Sequence, residues 1–364
     1  MDTASFCDSV RDEAGGWDRA GTLPAEVVTT MAGAGFLSAD LPVRYGGTAR
    51  TQAELGELCA RLGGVCSALR ALATVQGMVA AAVLRWGTPE QRDRWLPGLA
   101  RGEPVAGFAA TEAGAGSDLS AVTSALEVAP GGFRLRGQKL WVTFGQCAGV
   151  FLVLAMLDGQ PVAVLVEADR PGVEVCPVGG QLGLRAAGLA DVRFDGVPVP
   201  AENLLAPPGF GLSHVTGTAL DHGRYTVAWG CVGMAETCLG LAAGHAARRT
   251  QGGVRLSGHQ AVRALLGRCL AEAGAARRAC AHAAAVRDFA EPDAVVQTVL
   301  AKYTAARAAS AVSEAAVQIH GAAGCAADSP VGRFFRDARV MRIIEGSDEV
   351  AEQHLGDYAL RRRT

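Results

Sequence analysis

One carboxylate near the C-terminus stands in a context suited to proton transfer. Glu345 follows the β-branched residues Ile343 and Ile344 and precedes Gly346, which permits a sharp bend before an acidic helix start. Apolar neighbours raise the pKa of a carboxyl group, whereas a helix N-terminus lowers it. A carboxylate held between these effects can act as a general base, and the alternative is an acid that only caps the helix.

Two other segments carry hydroxyl and aromatic side chains that can hold a flat or phosphorylated ligand. An apolar strand near Phe108 runs into the glycine-rich turn TEAGAGSD at 111–118. The N–H groups and hydroxyls of such a turn can bind a phosphate or the polar edge of a heterocycle. Trp141 and Thr143 share one face of a predicted strand, where they can stack on a ring and hydrogen-bond to it. Taken singly, an ordinary turn and a core tryptophan are the simpler interpretations.

Three blocks of different periodicity must position these residues. Residues 1–105 have helical spacing, residues 106–208 form short strands, and residues 209–364 are helical again. This order is not the alternation of strands and helices in a dinucleotide-binding fold, and no G-x-G-x-x-G follows a strand. An enzyme that binds a nicotinamide cofactor in that way is therefore not expected.

Local signals predict several element boundaries. Capping boxes at Thr51 and Thr88 each begin a helix, and the second helix should end near Leu96, before Pro97. Asp158-Gly159 between apolar runs predicts a hairpin turn. Ser257-x-x-Gln260 predicts a further capped helix.

The composition favours a compact protein with neither a nucleic-acid nor a membrane partner. Of 364 residues, 49% are hydrophobic and 19% charged, and the net charge is −2, which argues against disorder and against a basic binding surface. The N-terminus carries acids instead of a signal sequence, and the apolar stretch 71–84 is too short to cross a bilayer. We therefore expect a cytoplasmic protein in which this stretch forms a buried helix.

Cysteine and lysine usage carries little functional signal. The ten cysteines form no C-x-x-C pair and no close Cys/His cluster, so we expect ten reduced, buried side chains and no metal site. Among 34 basic residues, only Lys139 and Lys302 are lysines. An excess of arginine is typical of proteins from GC-rich bacteria.

Six ordered segments resemble the motifs of the acyl-CoA dehydrogenase family, and the match covers nearly the whole chain. It implies a multi-domain α+β fold with an N-terminal helical domain (1–105), a small central β-barrel or sheet domain (106–208) and a C-terminal four-helix-type bundle (209–364). The matching segments are TEAGAGSD (111–118), GQKLWVT (137–143), LDHGR (220–224), QIHGAAG (318–324), PVGRFFRDA (330–338) and EGS (345–347).

The resemblance implies a flavin-dependent oxidoreductase of acyl thioesters, with FAD between the sheet domain and the C-terminal helices. Glu345 matches the base that removes the proton α to the thioester carbonyl, and Ile344 stands where the family commonly has tyrosine. Asp221 and Arg224 match a buried acid–arginine element near the site.

Other positions match residues that line FAD in the family. Thr111 and Thr143 would hydrogen-bond to its ring, and Ser117 would lie toward its pyrophosphate. Arg249 and Gln318 match residues that reach the FAD of a neighbouring subunit, which implies a homodimer or homotetramer; the electron acceptor is not implied. The remaining cofactor-lining matches are Phe108, Gly116, Trp141, Gly321 and Ser347.

Within the family, the chain most resembles enzymes that oxidise a three-carbon hydroxyacyl group on an acyl carrier protein, for hydroxymalonyl or methoxymalonyl polyketide extender units. In that reaction Glu345 would take a proton from carbon or from oxygen. An acidic carrier protein would dock on basic surface, for which the candidates are Arg248, Arg255, Arg263 and Arg287. The alternatives are a conventional acyl-CoA dehydrogenase that forms an enoyl-CoA, and a non-catalytic scaffold with the same fold.

Overall fold

The computed structural model describes residues 2–361, and its N-terminal part consists of helices. Both predicted capping boxes are present, since the hydroxyls of Thr51 and Thr88 accept hydrogen bonds from backbone N–H groups in the first helical turn. The helices are α1 (Thr3–Val10), α2 (Ala14–Ala20), α3 (Ala25–Gly33), α4 (Gln52–Gly63), α5 (Ser67–Trp86) and α6 (Pro89–Arg101).

The central part is an eight-stranded mixed sheet. Its strands are β1 (Ala106–Ala109), β2 (Ala125–Ala129), β3 (Gly132–Val142), β4 (Val150–Leu157), β5 (Gln160–Glu167), β6 (Val173–Pro177), β7 (Ala190–Pro200) and β8 (Leu204–Leu205). The order across the sheet is β6-β7-β3-β2-β4-β5-β8, and β1 pairs in parallel with β4. The predicted hairpin turn joins β4 to β5, and Asp158 and Gly159 both have positive φ, as a tight turn requires.

The C-terminal part is a helical bundle around one 32-residue helix, α7 (Gly217–Arg248). This helix packs against α4 and α5 as well as against the two helices that follow it, so it bridges both helical domains. At Gly233 a Cβ would come within 1.8 Å of the Ala60 carbonyl oxygen, so only glycine permits the approach of α4. The remaining elements are β9 (Thr250–Gln251), β10 (Val254–Arg255), α8 (Gln260–Asp288), α9 (Ala294–His320), α10 (Pro330–Met341) and α11 (Asp348–Arg361).

Two predicted helix boundaries are wrong. Pro97 lies inside α6, which continues to Arg101 because Trp95 and Leu99 are buried, and this packing outweighs the hydrogen bond that proline cannot donate. Ser257 lies in a short 3₁₀ turn before α8. The N-cap residue of α8 is His259, so Ser257 does not cap that helix.

The prediction that all ten cysteines are buried is also wrong. Seven are buried, whereas Cys147, Cys176 and Cys325 are exposed because they lie in a turn, in the edge strand β6 and in a 3₁₀ segment. Residues 2–361 contain no group of three or more His, Cys, Asp or Glu side chains placed to hold a metal ion.

Two helical stretches, Ser67–Trp86 and Gly211–Arg248, are long and apolar enough to cross a membrane if only length and composition are considered. The prediction that the apolar stretch 71–84 is too short to cross a bilayer is therefore wrong, because α5 extends beyond it on both sides. Most of each stretch is buried inside the protein, as in the core helices of a globular fold.

A buried ion pair joins the 111–118 loop to β3. Nζ of Lys139 lies 2.7 Å from Oε1 of Glu112, whose carboxylate also accepts hydrogen bonds from the N–H and hydroxyl groups of Thr123 and Ser124. Burial raises the pKa of Glu112, but the hydrogen bonds from Lys139, Ser124 and Thr123 outweigh it and lower the pKa to about 2. The carboxylate is therefore ionised at all ordinary pH values and holds the loop in place.

We expect Lys139→Met to lower the free energy of unfolding by about 3–5 kcal/mol, because it leaves the Glu112 carboxylate buried without its cation. Urea denaturation at pH 7 measures the change. Arg136→Met is the matched control, since Arg136 lies on the same strand in an exposed ion pair with Asp195 and should lose at most about 1 kcal/mol. Equal losses in the two variants would contradict the assignment.

Candidate active site

Glu345 adopts a left-handed backbone conformation in the turn between α10 and α11. Its φ is +56°, a region that a residue with a Cβ rarely occupies. Two cations hold this turn. Nε of Arg224 in α7 donates to the Glu345 carbonyl oxygen (2.9 Å), and Nζ of Lys302 in α9 donates to the Gly346 carbonyl oxygen (2.6 Å). The strained turn is thus fixed by two different helices, which sets the direction of the side chain.

Glu345 is half-buried, and one oxygen of its carboxylate is shielded and free. Within residues 2–361, Oε2 is shielded from solvent and has no hydrogen-bond partner. It lies against Gly223, where a Cβ would come within 2.7 Å of Oε2 and 3.0 Å of the Met78 sulfur. Burial raises the pKa of Glu345 to about 6, and nearby cations, chiefly Arg224, offset this only in part. Such a carboxylate can accept a proton near neutral pH.

Asp221 and Arg224, which the resemblance joins in one element, have different partners in the structure. Asp221 accepts a hydrogen bond from Arg287 of α8, whereas Arg224 donates to the Glu345 turn. Each side chain meets a different neighbour of α7. Arg224 therefore acts at the site, and Asp221 ties α7 to α8.

Sequence reasoning did not select Lys302 or Gly223, although both shape the position of Glu345. One signal was present, because Lys302 is one of only two lysines in an arginine-rich chain. Gly223 gave no signal, since its role appears only when α7 packs against the turn.

The predicted cofactor-lining segments meet at the end of β3. The N–H of Leu140 donates to the Thr111 carbonyl oxygen (2.9 Å), which places the 111–118 loop beside this strand. Trp141 has a φ of +59°, and its N–H donates to the Asp191 side chain (3.0 Å). Its side chain is 55% exposed, so the indole offers a face to a ligand instead of filling the core.

The hydroxyls of Thr111, Ser117 and Thr143 have no hydrogen-bond partner among residues 2–361, and the two threonines are half-buried. A hydroxyl without a partner in the protein can donate to and accept from a ligand, so these hydroxyls suit a polar ligand. Phe108 of β1 packs against the same apolar cluster as Met78, whose sulfur adjoins the Glu345 carboxylate. The set fits a flat ring with a polar edge.

The other predicted positions have simpler surroundings. Gly116 is exposed in its loop and has open space where a Cβ would point. Oγ of Ser347 accepts a hydrogen bond from the Val350 N–H (3.5 Å), so Ser347 caps α11. Ile344 is half-buried against the largest apolar cluster, and Gly321 ends α9 with a φ of +60°. Cofactor contacts of the two glycines and the serine stay predictions.

Arg249 and Gln318 lie far from Glu345. The rings of His245 and His320 stack with their centroids 4.3 Å apart and join the C-terminal ends of α7 and α9, where both predicted residues are exposed. Glu345 instead contacts the first turns of α7, about 39 Å away along that helix. One chain therefore does not bring Arg249 and Glu345 to the same part of a ligand.

The predicted carrier-docking arginines do not surround Glu345. Arg248, Arg255 and Arg263 lie at or just beyond the C-terminal end of α7. A phosphopantetheine arm reaches only about 17 Å, the length of five extended residues, so these side chains are too distant to serve the Glu345 of their own chain. Arg287 is also unsuitable because it pairs with Asp221.

Models of all three domains of one family match the chain. The acyl-CoA dehydrogenase N-terminal domain matches residues 3–103, the middle domain matches residues 107–197, and the C-terminal domain matches residues 209–360. Members of this family are FAD-dependent oxidoreductases of acyl thioesters. The free hydroxyls of Thr111 and Thr143 and the exposed Trp141 indole fit the ring of such a cofactor.

Individual relatives share the architecture throughout. The solved structure of FkbI, described as acting in the biosynthesis of the methoxymalonyl extender unit of the Fk520 polyketide, is 36% identical, with a TM-score of 0.92 and 99% of each chain covered. Glutaryl-CoA dehydrogenase from Mycobacterium smegmatis, solved with FADH2, is 26% identical, with a TM-score of 0.93 and coverage of 98% of this chain and 92% of that one. Acryloyl-CoA reductase (NADH) of Anaerotignum propionicum is 30% identical over 92% of this chain and 86% of its own.

We expect Glu345→Gln to retain the fold and FAD but to reduce turnover by at least about 10²–10⁴-fold, because the amide cannot accept the substrate proton. Anaerobic assay with a dye acceptor measures this loss. Turnover within a few-fold of the wild type would assign the base to another group.

The same variant should be more stable than the wild type at pH 8. Because the folded pKa of Glu345 is raised, its favourable contribution is present below the pH at which an exposed glutamate titrates and is lost as pH rises through about 6. Removing the ionised carboxylate should restore about 2 kcal/mol at pH 8. Melting temperatures at pH 4.5 and pH 8 test the sign, and an equal change at both values would contradict it.

We expect Arg249→Ala to weaken FAD retention more than folding stability, because its exposed side chain contributes little to the core of its own subunit. Flavin content after dialysis and the melting temperature of the apoprotein measure the two effects. Arg248→Ala is the matched control, one residue earlier and equally exposed. Unchanged flavin content in Arg249→Ala, or equal loss in both variants, would count against a contact with a neighbouring subunit's cofactor.

Proposed function

The chain belongs to the acyl-CoA dehydrogenase family, and we propose that it oxidises a three-carbon hydroxyacyl thioester carried on an acyl carrier protein. The product would be a hydroxymalonyl or methoxymalonyl extender unit, or its precursor, for a polyketide. The central observation is the Glu345 carboxylate, which has a free oxygen and lies in a turn fixed by Arg224 and Lys302. The likeness to FkbI over nearly the entire length supports the carrier and the acyl group.

Glu345 accepts the proton that leaves the substrate in this proposal. Its pKa of about 6 keeps the carboxylate ionised at neutral pH, and the free Oε2 can take a proton from carbon or from the oxygen of an alcohol or aldehyde hydrate. Bound FAD supplies the hydride acceptor, so the substrate loses one proton and one hydride. Thr111 and Thr143 would hold the polar edge of the ring, and Trp141 would cover one of its faces.

The enclosure of Glu345 also favours the proton transfer energetically. An ionised carboxylate without hydrogen-bond donors on one oxygen is a stronger base than the same group in water. The backbone clamp from Arg224 and Lys302 leaves the carboxylate free, because both cations bind carbonyl oxygens instead. Arg224 and Lys302 thus position the proposed base without hydrogen-bonding to its carboxylate.

A conventional acyl-CoA dehydrogenase that forms an α,β-enoyl-CoA is the second candidate. It is favoured by relatives named for CoA thioesters, which match the chain over similar lengths. The same base and the same cofactor would serve both reactions. A non-catalytic scaffold is not supported, because the family is enzymatic and the free carboxylate and hydroxyls remain in place.

The assembly proposed here is a homodimer or homotetramer. Arg249 and Gln318 lie at the end of the bundle remote from Glu345, which supports contacts of these residues with the FAD of a second subunit. Arg287 pairs with Asp221 within the chain. The carrier protein would therefore dock on a surface that does not include Arg287.

We expect the enzyme to use a hydroxyacyl group on its carrier protein with a kcat/KM at least about tenfold higher than the same group on CoA, because the carrier adds a protein–protein contact. Steady-state kinetics with both purified thioesters measure the ratio. The pantetheine thioester is the matched control, since it contains the arm without either carrier. Equal or faster turnover of the CoA thioester would reject the carrier proposal in favour of the second candidate.

A further inference from the structure

A small cavity connects Glu345 with His354 of α11. Its volume is about 10 Å³, close to the space that one water molecule needs. The residues that line it are Glu345, Gly346, Arg224, Lys302 and His354, together with the apolar Val299, Val350 and Ala351. The proposed base and an imidazole therefore share one water-sized space.

The spacing of residues on two helices creates this cavity. Val350, Ala351 and His354 are separated by three and four residues, so they lie on one face of α11, and Val299 and Lys302 share a face of α9 in the same way. The two helices pack against each other. The cavity thus reaches Glu345 from the side of α9 and α11.

A different part of Glu345 faces the expected substrate side. Its shielded Oε2 lies against Gly223 of α7 and near the sulfur of Met78 on α5. Met78 belongs to an apolar cluster against which Phe108 of the sheet domain packs. A product bound between α5 and the sheet domain would cover this side of the carboxylate.

The proton that Glu345 accepts must leave before the next substrate can react. While product covers the α5 side, the cavity offers a second route, because His354 at its other end is exposed to solvent. A route of this kind frees the carboxylate before product dissociates, which is often the slow step of turnover.

A histidine at this position suits proton transfer. Neutral imidazole accepts a proton on one ring nitrogen and can release the proton of the other. Burial and the nearby Arg224 cation lower the pKa of His354, so the ring is mainly neutral at pH 7 and able to accept. A buried water commonly makes about three hydrogen bonds, and one here could accept from Lys302 and Glu345 and donate to His354.

We propose that His354 is the proton outlet of Glu345 and acts through one water molecule in this cavity. The protonated carboxyl group gives its proton to the water, and the water gives one of its own to the free ring nitrogen of His354. The other ring nitrogen then releases a proton to solvent. No electrons move, and Glu345 becomes ionised again while product is still bound. The assignment rests on the proposed function, since it takes Glu345 as the base.

Anaerobic single turnover of the FAD-loaded enzyme tests the outlet. The substrate is whichever of the three-carbon hydroxyacyl carrier-protein thioester and propionyl-CoA reduces the flavin. Loss of flavin absorbance times the hydride transfer, and a pH-indicator dye times the arrival of the proton in solvent. In the wild type, the dye should respond together with the flavin and before product dissociates. His354→Gln should keep the rate of flavin reduction but release the proton at least about tenfold more slowly.

The choice of variants separates proton transfer from a structural role. Glutamine can hydrogen-bond to the water but has no second site from which to pass a proton on, so wild-type proton release in His354→Gln would overturn the proposal. Imidazole added to His354→Ala should restore fast release, and a failure to do so would also count against the outlet. Gln353→Leu is the matched control, since Gln353 is an exposed neighbour on α11 outside the cavity lining, and both rates should stay unchanged.

A cavity-filling variant tests the water. Ala351→Val narrows the cavity while His354 stays intact, so it should delay proton release in the same way as His354→Gln. Melting temperature shows whether this variant folds, and if it does not, the imidazole result decides. Fast release in a folded Ala351→Val protein would overturn the route through the cavity. A crystal of the holoenzyme should show one water within hydrogen-bond distance of Glu345 and His354, and an ordered cavity without it would contradict the proposal.

Failure of the outlet is distinguishable from failure of the proposed function. If neither thioester reduces the flavin, or if Glu345→Gln reduces it as fast as the wild type, the assignment of the base fails and the outlet fails with it. If flavin reduction depends on Glu345 but proton release is equally fast in His354→Gln, only the outlet is rejected.

Discussion

The site depends on one electrostatic balance, a carboxylate buried among cations that do not bind it. Burial alone would raise the pKa of Glu345 further, and a direct ion pair would lower it and occupy the oxygen needed for proton transfer. The fold avoids both outcomes because Arg224 and Lys302 bind the carbonyl oxygens of residues 345 and 346. Their charges act on the carboxylate through space, while their hydrogen bonds hold the left-handed backbone. Charge compensation and positioning are therefore performed by the same two side chains.

The two lysines occupy comparable structural positions. In a chain whose other basic residues are all arginine, Lys139 and Lys302 are both buried, and each fixes a segment of the site. Lys139 pairs with the Glu112 carboxylate and so holds the loop that contains Thr111, and Lys302 holds the turn that contains Glu345. A compact ammonium group satisfies one strong acceptor in a narrow space, which the broad guanidinium fork does less well.

The architecture was predictable because the elements depend on local patterns, whereas the role of Glu345 as the base stays a prediction. Capping boxes, the Asp158-Gly159 turn and the glycine at position 346 act within a few residues. Partnerships that depend on distant segments were not predictable in the same way: Arg70 meets Met341, and Asp221 meets Arg287 instead of Arg224. Pro97 shows the same limit, since its local signal to end a helix is outweighed by burial of the following turn.

The length of α7 links the chemistry to assembly. Its first turns contact Glu345, and Arg249 follows its last turn, so a single rigid helix separates the predicted base from a predicted cofactor contact by about 39 Å. No side-chain rearrangement can close such a gap, because the glycines that allow α4 to approach α7 also lock the helix into the core. A cofactor that touches both regions must therefore take them from different subunits. A monomer would then keep the Glu345 turn intact and lack part of the predicted flavin contacts, so assembly would affect cofactor binding without altering the geometry of that turn.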